Sequence, residues 1–231
     1  MRQVLKLLSR GLAAAKARPL FLAAFFLAVL VPFVLFGELA EEILEGHGLP
    51  FDEPILRWFH AQATPARDRF VVAITTLGGP VPMVACEVVV VAALFLWRKR
   101  REAKFLAVAG GGAALLNVCA KLIFSRQRPQ LWETIVTEKS FSFPSGHSIG
   151  SMSFAAALTL LAWPTRWRWP VAIGAISFAI TIGLTRLYLG VHFPSDVAAG
   201  WCAALVWVGG VYTIQRWRGR RSGRAARSGS E

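Results

Sequence analysis

Acidic side chains are scarce in this chain: 13 Asp and Glu stand against 26 Lys and Arg over 231 residues, a formal net charge of +13. Such an excess would suit a nucleic-acid binder, but no segment is polar enough to fold as a soluble, base-reading domain, so nucleic acid is not expected as a partner. Cysteine is sparse too. Cys86, Cys119 and Cys202 are odd in number and lack metal-ligand spacing, so they report little about redox compartment and read as small buried hydrophobes. There is no Gly-rich nucleotide loop and no internal repeat. No small-x-small cleavage site follows the apolar run from Leu20, which leaves that run as an uncleaved anchor.

What the chain has in abundance is apolar surface. Hydrophobic residues make up 55% of it, with nine Trp and sixteen Phe, and the mean hydropathy is +0.50, too high for a soluble domain. Runs near 20–37, 70–97, 103–123, 147–163, 170–186 and 194–215 are each long enough to cross a bilayer. They are continuous, without the alternation of a barrel strand, and only helices otherwise satisfy backbone polar groups in hydrocarbon. The expected fold is all-α, a six-helix transmembrane bundle forming one membrane-embedded domain over 1–231. Short surface helices at Glu38–Glu45 and Glu53–His60, punctuated by Gly and Pro, would serve as lid or headgroup packing. Residues 1–19 read as an interfacial amphipathic helix, and the basic tail 216–231 as disordered.

The basic residues sort by side. Residues 1–19 carry five and no acid, 98–104 carry five with Glu102, 164–169 carry Arg166 and Arg168, and the tail from Arg216 carries six. These segments fall on one side of the membrane; the acid-rich 38–69 segment, the 124–146 segment and the 187–193 turn fall on the other. The positive-inside rule then puts both termini in the cytoplasm and the second set of loops outside it, in a bacterial inner membrane. Glu87 falls inside a span, toward the cytoplasmic half and away from those loops. A structural partner is the first reading for it and a substrate role the second. The Gly110-Gly111-Gly112 run suits close helix packing.

Three clusters lie at the outer ends of spans. Lys121 and Arg128 are seven residues apart, nearly two helical turns, so both would leave one helix face about 10 Å apart, with Pro129 ending the helix. Pro144-Ser145-Gly146-His147 precedes an apolar run, where a helix start offers free N–H groups and a positive dipole end to an anion. An ordinary Ser N-cap would look the same. In the third cluster, Asp196 follows His192 by four residues and can hold one imidazole nitrogen, leaving the other free as a nucleophile. A plain helix-capping His–Asp pair is the alternative. Together, the cations gather where a phosphate could be held.

Lys121 with Arg128-Pro129, the Pro144–His147 tetrapeptide, and Thr185-Arg186 with His192 and Asp196 resemble the three signature motifs of the type 2 phosphatidic acid phosphatase superfamily, in order and spacing. Thr185 stands where that family usually has Ser. The resemblance implies that His192 attacks phosphorus to form a phosphohistidine, that Asp196 orients it, and that His147 protonates the leaving oxygen and then activates water. It also implies that Lys121, Arg128, Arg186, Ser145 and the Gly146 backbone hold the phosphoryl oxygens, with no cofactor.

A metal is not expected, because three cations converging on the site would repel it. A serine hydrolase built on Ser145 would leave those cations unexplained. A site at the interface with short loops suits a substrate whose chain stays in the bilayer: a polyprenyl diphosphate, phosphatidylglycerophosphate, phosphatidic acid or a lipid A phosphate. A lipid phosphotransferase and a non-enzymatic lipid-phosphate binder or flippase are the competing readings. The second would need the cations but not two positioned imidazoles. Oligomeric state is not legible.

Overall fold

A computed structural model describes residues 23, 26–46 and 48–228, with side chains through Arg218. The amphipathic helix expected over 1–19 lies outside the described residues. Among the described residues every regular element is a helix: α1 (26–44), α2 (Asp52–His60), α3 (Pro65–Leu77), α4 (Pro80–Leu96), α5 (Arg100–Phe124), α6 (Gly146–Ala162), α7 (Arg168–Tyr188) and α8 (Pro194–Ser228). Three of them, α5, α7 and α8, are long and apolar enough to cross a bilayer, and the bent pair α3–α4 passes as a fourth. With α1 and the shorter apolar α6 they supply the six columns read from the sequence.

Three boundaries differ from expectation, each for a local reason. The run expected as one span over 70–97 bends by 43° between α3 and α4. Gly78-Gly79-Pro80 breaks it: Pro80 lacks an amide donor, and the missing side chain of Gly78 admits Ile182 of α7 against the backbone. The surface helix expected at Glu38–Glu45 is the continuation of α1: the helix runs through Gly37 without a break, and the chain leaves it only at Gly46, which takes φ +75°. At the other terminus α8 runs through Ser228, so backbone expected to be a disordered tail from 216 is helical.

Helix α6 is the centre of the bundle, flanked by α5, α7 and α8. It earns that place by composition. Ser148, Ser151, Ser153, Ala155 and Ala157 present small buried surfaces on which neighbours approach closely, and Phe105, Leu106 and Val208 close over its lower half. Gly110 and Gly112 serve close packing as expected, against Glu87 and Trp207 respectively. The cysteines are free, but only Cys202 is buried as expected; Cys86 and Cys119 are exposed on α4 and α5.

Because α5 to α8 alternate in direction, the C-terminal ends of α5 and α7 and the N-terminal ends of α6 and α8 meet at one end of the bundle, with α2 beside them. The basic segments 98–104 and 164–169 lie at the opposite end. The turn from α7 to α8 is tight enough to need Gly190 at φ +67°, and a Cβ there would also strike the Trp132 ring.

Candidate active site

The sequence expectation that Lys121 and Arg128 share a helix face is corrected by the structure. Helix α5 stops at Phe124, where Ser125 takes the left-handed conformation at φ 45° and sends the chain into the loop 125–145. The two cations still converge, through that loop. Lys121 Nζ donates to Ser140 Oγ at 3.1 Å and to the Phe141 carbonyl, while Arg128 Nε donates to the Ser140 carbonyl at 2.7 Å.

Arg128 reaches His192. Its Nη1 donates to the Val191 carbonyl at 2.7 Å and lies 3.1 Å from His192 Nε2. A guanidinium has no lone pair to offer, so the Nε2 atom is the acceptor and the ring proton sits on Nδ1. Nδ1 faces Asp196 Oδ2 and Ser142 Oγ, each at 3.4 Å. Asp196 is itself held on every side: Oδ2 accepts from the Phe193 N–H at 2.9 Å and from Ser142 Oγ, and Oδ1 accepts from Arg126 Nη1 at 2.6 Å. Burial pulls the His192 imidazole down to about 4, and the opposing pull of Asp196 does not restore it. At neutral pH His192 is therefore uncharged, with its free lone pair on Nε2.

Sequence reading missed the support behind this pair. Arg126 also donates to Asp52 Oδ2 at 2.8 Å and to Ser195 Oγ at 2.7 Å, and it lies over the Phe193 ring at 4.1 Å. Asp52, buried at the start of α2, accepts from Ser195 N–H and Oγ at 2.9 and 2.6 Å. The surface helix α2 is thereby tied to the aspartate that orients His192.

Glu138 was missed as well. Its carboxylate pairs with Arg186 Nη2 and lies 3.8 Å from Arg128 Nη2. Burial would raise this carboxyl, but the guanidiniums of Arg186 and Arg128 outweigh it and hold the group below the usual carboxylate range. Arg186 is buried, with Nη1 donating to Thr75 Oγ1 at 2.9 Å. A carboxylate thus sits where two arginines present donors to an anion.

One cavity of about 420 Å³ joins the clusters: His147, His192, Lys121, Arg128, Glu138 and Gly146 all line it. His147 stands on the first turn of α6 and faces the α3–α4 break, its Nε2 3.8 Å from where a Cβ on Gly79 would lie. Two expected phosphate ligands are placed differently. Ser145 is fully buried beneath α6, its N–H spent on the Asp196 carbonyl at 3.0 Å and its hydroxyl without a partner, and it does not line the cavity. Arg186 approaches from behind, through Glu138. The Thr185 hydroxyl donates back to the Ile182 carbonyl at 2.6 Å, so the Ser-to-Thr departure removes nothing from the site. Glu87, expected to lie away from the motifs, lines the same cavity at its deep end.

Comparison with known proteins identifies the fold and the family. Phosphatidylglycerophosphatase B of Bacillus subtilis is 33% identical over 138 residues, which cover 58% of this chain and 68% of that protein. An undecaprenyl-diphosphatase of Sulfolobus acidocaldarius is 34% identical over 96 residues, covering 38% of this chain and 43% of its own. The crystal structure of the transmembrane PAP2-type phosphatidylglycerolphosphate phosphatase of Bacillus subtilis superposes with a TM-score of 0.74 at 28% identity, covering 82% of this chain and 96% of that one. The PAP2 superfamily model matches residues 102–220, the stretch from α5 to α8 that carries all three clusters, and the chain belongs to that superfamily.

Proposed function

We propose that this protein is a membrane phosphatase that hydrolyses a lipid phosphate or diphosphate through a phosphohistidine on His192. The observation that carries the reading is the cavity that His147 shares with a neutral His192, whose Nε2 lies against Arg128, with Lys121 lining the same space. Relatives named for phosphatidylglycerophosphate and undecaprenyl diphosphate support the substrate class.

The chemistry follows from the positions. The phosphoryl group takes the place of the Glu138 carboxylate between Arg128 and Arg186, and Arg128 transfers its donor from His192 Nε2 to a phosphoryl oxygen. The freed lone pair attacks phosphorus; the bond to the leaving oxygen breaks as His147 gives that oxygen a proton. Asp196 stabilises the charge that grows on the His192 ring through Nδ1–H. In the second step His147 takes a proton from water, the new hydroxide attacks phosphorus, and the P–N bond breaks to release phosphate and restore His192. Lys121 and the N-terminal end of α6 at Gly146 offset charge on the equatorial oxygens. All of these groups belong to the chain, so turnover proceeds with a chelator present.

The site faces the extracytoplasmic side of a bacterial inner membrane, with both termini in the cytoplasm, because the basic segments occupy the opposite end of the bundle. The test is phosphate release by the purified protein in detergent with chelator, over a panel of lipid phosphates. Release that required added magnesium would reject the cation-only site. Orientation is tested separately with Thr137→Cys in a background lacking the native thiols. An impermeant reagent should label it from outside in intact cells, and labelling only from within would invert the topology.

A further inference from the structure

We propose that a basic groove along the exposed face of α5 is a docking site for the phosphate headgroup of a membrane lipid, in which Lys139 and Gln127 capture the headgroup before it reaches the histidines. This rests on the phosphatase reading above and adds where the lipid waits and which residues hold it there.

The groove has a volume of about 510 Å³ and lies between the end of α5, at Val118, Lys121 and Leu122, and two stretches of the following loop, 126–128 and 138–141. It is distinct from the catalytic cavity, since neither His147 nor His192 lines it. The two spaces nevertheless meet, because Lys121, Arg128, Glu138 and Ser140 line both. A phosphate held in the groove is therefore not in contact with the nucleophile but lies beside the cations that would receive it next. Glu138 borders both spaces, and a phosphate that moves on takes the place of its carboxylate between Arg128 and Arg186.

The floor of the groove is apolar. Val118 and Leu122 are 55% and 69% exposed on a helix long and apolar enough to span a bilayer, and with exposed Leu115 they follow at intervals of three and four residues, on one helix face. Hydrocarbon covers such a stripe in a bilayer, so a lipid chain lying on it brings its headgroup to the groove. The roof is cationic: Lys121, Arg126, Arg128 and Lys139 stand against the single lining carboxylate of Glu138. Three of these cations are already engaged, Arg126 by Asp52 and Asp196, Arg128 by the Ser140 and Val191 carbonyls, and Lys121 by Ser140 and Phe141. Lys139 and Gln127 are exposed, and their side chains make no hydrogen bond to another described residue. A free ammonium and a free carboxamide above an apolar stripe match a ligand with anionic oxygens at one end and hydrocarbon at the other. Inorganic phosphate would use the roof and leave the floor empty.

The experiment compares the wild type with a double variant, Gln127→Ala and Lys139→Ala, on three substrates in micelles of one neutral detergent: dioleoyl phosphatidic acid, farnesyl diphosphate and water-soluble p-nitrophenyl phosphate. Both substituted side chains are exposed, so the fold is kept, and an unchanged melting temperature checks it. KM for both lipids should rise about fivefold at unchanged kcat, because capture is weakened while the reacting groups are untouched. KM for p-nitrophenyl phosphate, which has no chain to lay on α5, should move by less than about twofold. Dioleoyl phosphatidylglycerol, a phosphodiester with no terminal phosphate to release, should compete with the lipid substrates in the wild type and lose about fivefold of its potency in the variant. Inorganic phosphate should inhibit both proteins alike. Equal rises in KM on all three substrates, or an equal loss of potency for inorganic phosphate, overturns the docking site by making the two side chains part of a general anion field. An unchanged KM for the lipids overturns it as well. No phosphate release by the wild type from any of the three would instead overturn the phosphatase reading on which the docking site rests.

Discussion

The two histidines live in different surroundings. His192 is buried and bonded at both nitrogens, with Asp196 and Ser142 on one side and Arg128 on the other, and Asp196 is backed by Arg126 and Asp52. His147 is partly exposed in the cavity, and its ring makes no hydrogen bond to another described residue. The contrast fits the work each would do. A nucleophile gains from a fixed tautomer and a fixed line of attack, since misplacement costs rate steeply. An acid that turns base must face a leaving oxygen first and a water molecule next, so its partners arrive with the reaction.

The largest effect should come from breaking that contrast at the chemistry. His192→Ala removes the attacking atom and should abolish turnover and any acid-labile phosphoenzyme, read by quenching with labelled substrate. His147→Ala should slow lipid hydrolysis by about 10²–10⁴-fold, the usual share of acid–base catalysis. With an aryl phosphate, whose leaving group needs no proton, His147→Ala should still form the phosphoenzyme and accumulate it, because the second step lacks its base. Failure of the intermediate to accumulate would show that the two rings do not divide the work as proposed.

The next effect tests whether the fixed side is held from behind. Arg126→Ala leaves Asp196 and Asp52 buried without their shared counter-charge, and breaking such a pair costs about 3–5 kcal/mol. The variant should therefore unfold at markedly lower temperature. Arg126→Lys keeps the charge but cannot fork between two carboxylates, and it should recover stability only in part. An unchanged melting temperature for Arg126→Ala would mean that α2 is not coupled to the site through this network.

The pattern of what was legible follows from how far apart in sequence the interacting groups lie. His192 and Asp196 could be paired from four-residue spacing, and the Pro144–His147 segment could be placed at a helix start from the apolar run behind it. The spans were legible because bilayer thickness sets their length. Asp52 and Ser195 are 143 residues apart and no local pattern joins them. Glu138 sits in an irregular loop where neither period nor cap marks it. Arg126 carried a signal, a second Arg two residues before Arg128, that hydropathy alone does not interpret. The end of α5 at Phe124 was misplaced because Pro129 is the louder stop signal, whereas the turn is made by Ser125 in a conformation that its residue type does not announce.

A smaller effect sharpens the open side. Glu138→Gln removes the carboxylate that pairs with Arg186. Without phosphate the variant should be less stable than the wild type, since buried Arg186 keeps only Thr75 as a side-chain partner among the described residues. Added inorganic phosphate should raise its melting temperature more than it raises the wild type's, because the anion no longer displaces a resident charge. Its inhibition constant for phosphate should fall several-fold. Weaker phosphate inhibition would instead make Glu138 a group that positions Arg186 for the substrate.

The smallest and most specific effect concerns acid pH. With His192 held down to about 4 by burial, its neutral form, which carries the attacking lone pair, persists well below the pH at which an ordinary imidazole is protonated. The rate of phosphoenzyme formation from an aryl phosphate, which bypasses the proton donor, should stay flat as pH falls through 6.5 and drop about tenfold per unit only below about 4. The sign is set by protonation removing the nucleophile, so acid can only slow this step. A decline already complete near pH 6 would mean that His192 is more hydrated than its surroundings show, and the distinction between a buried nucleophile and an open acid–base group would lose its physical basis.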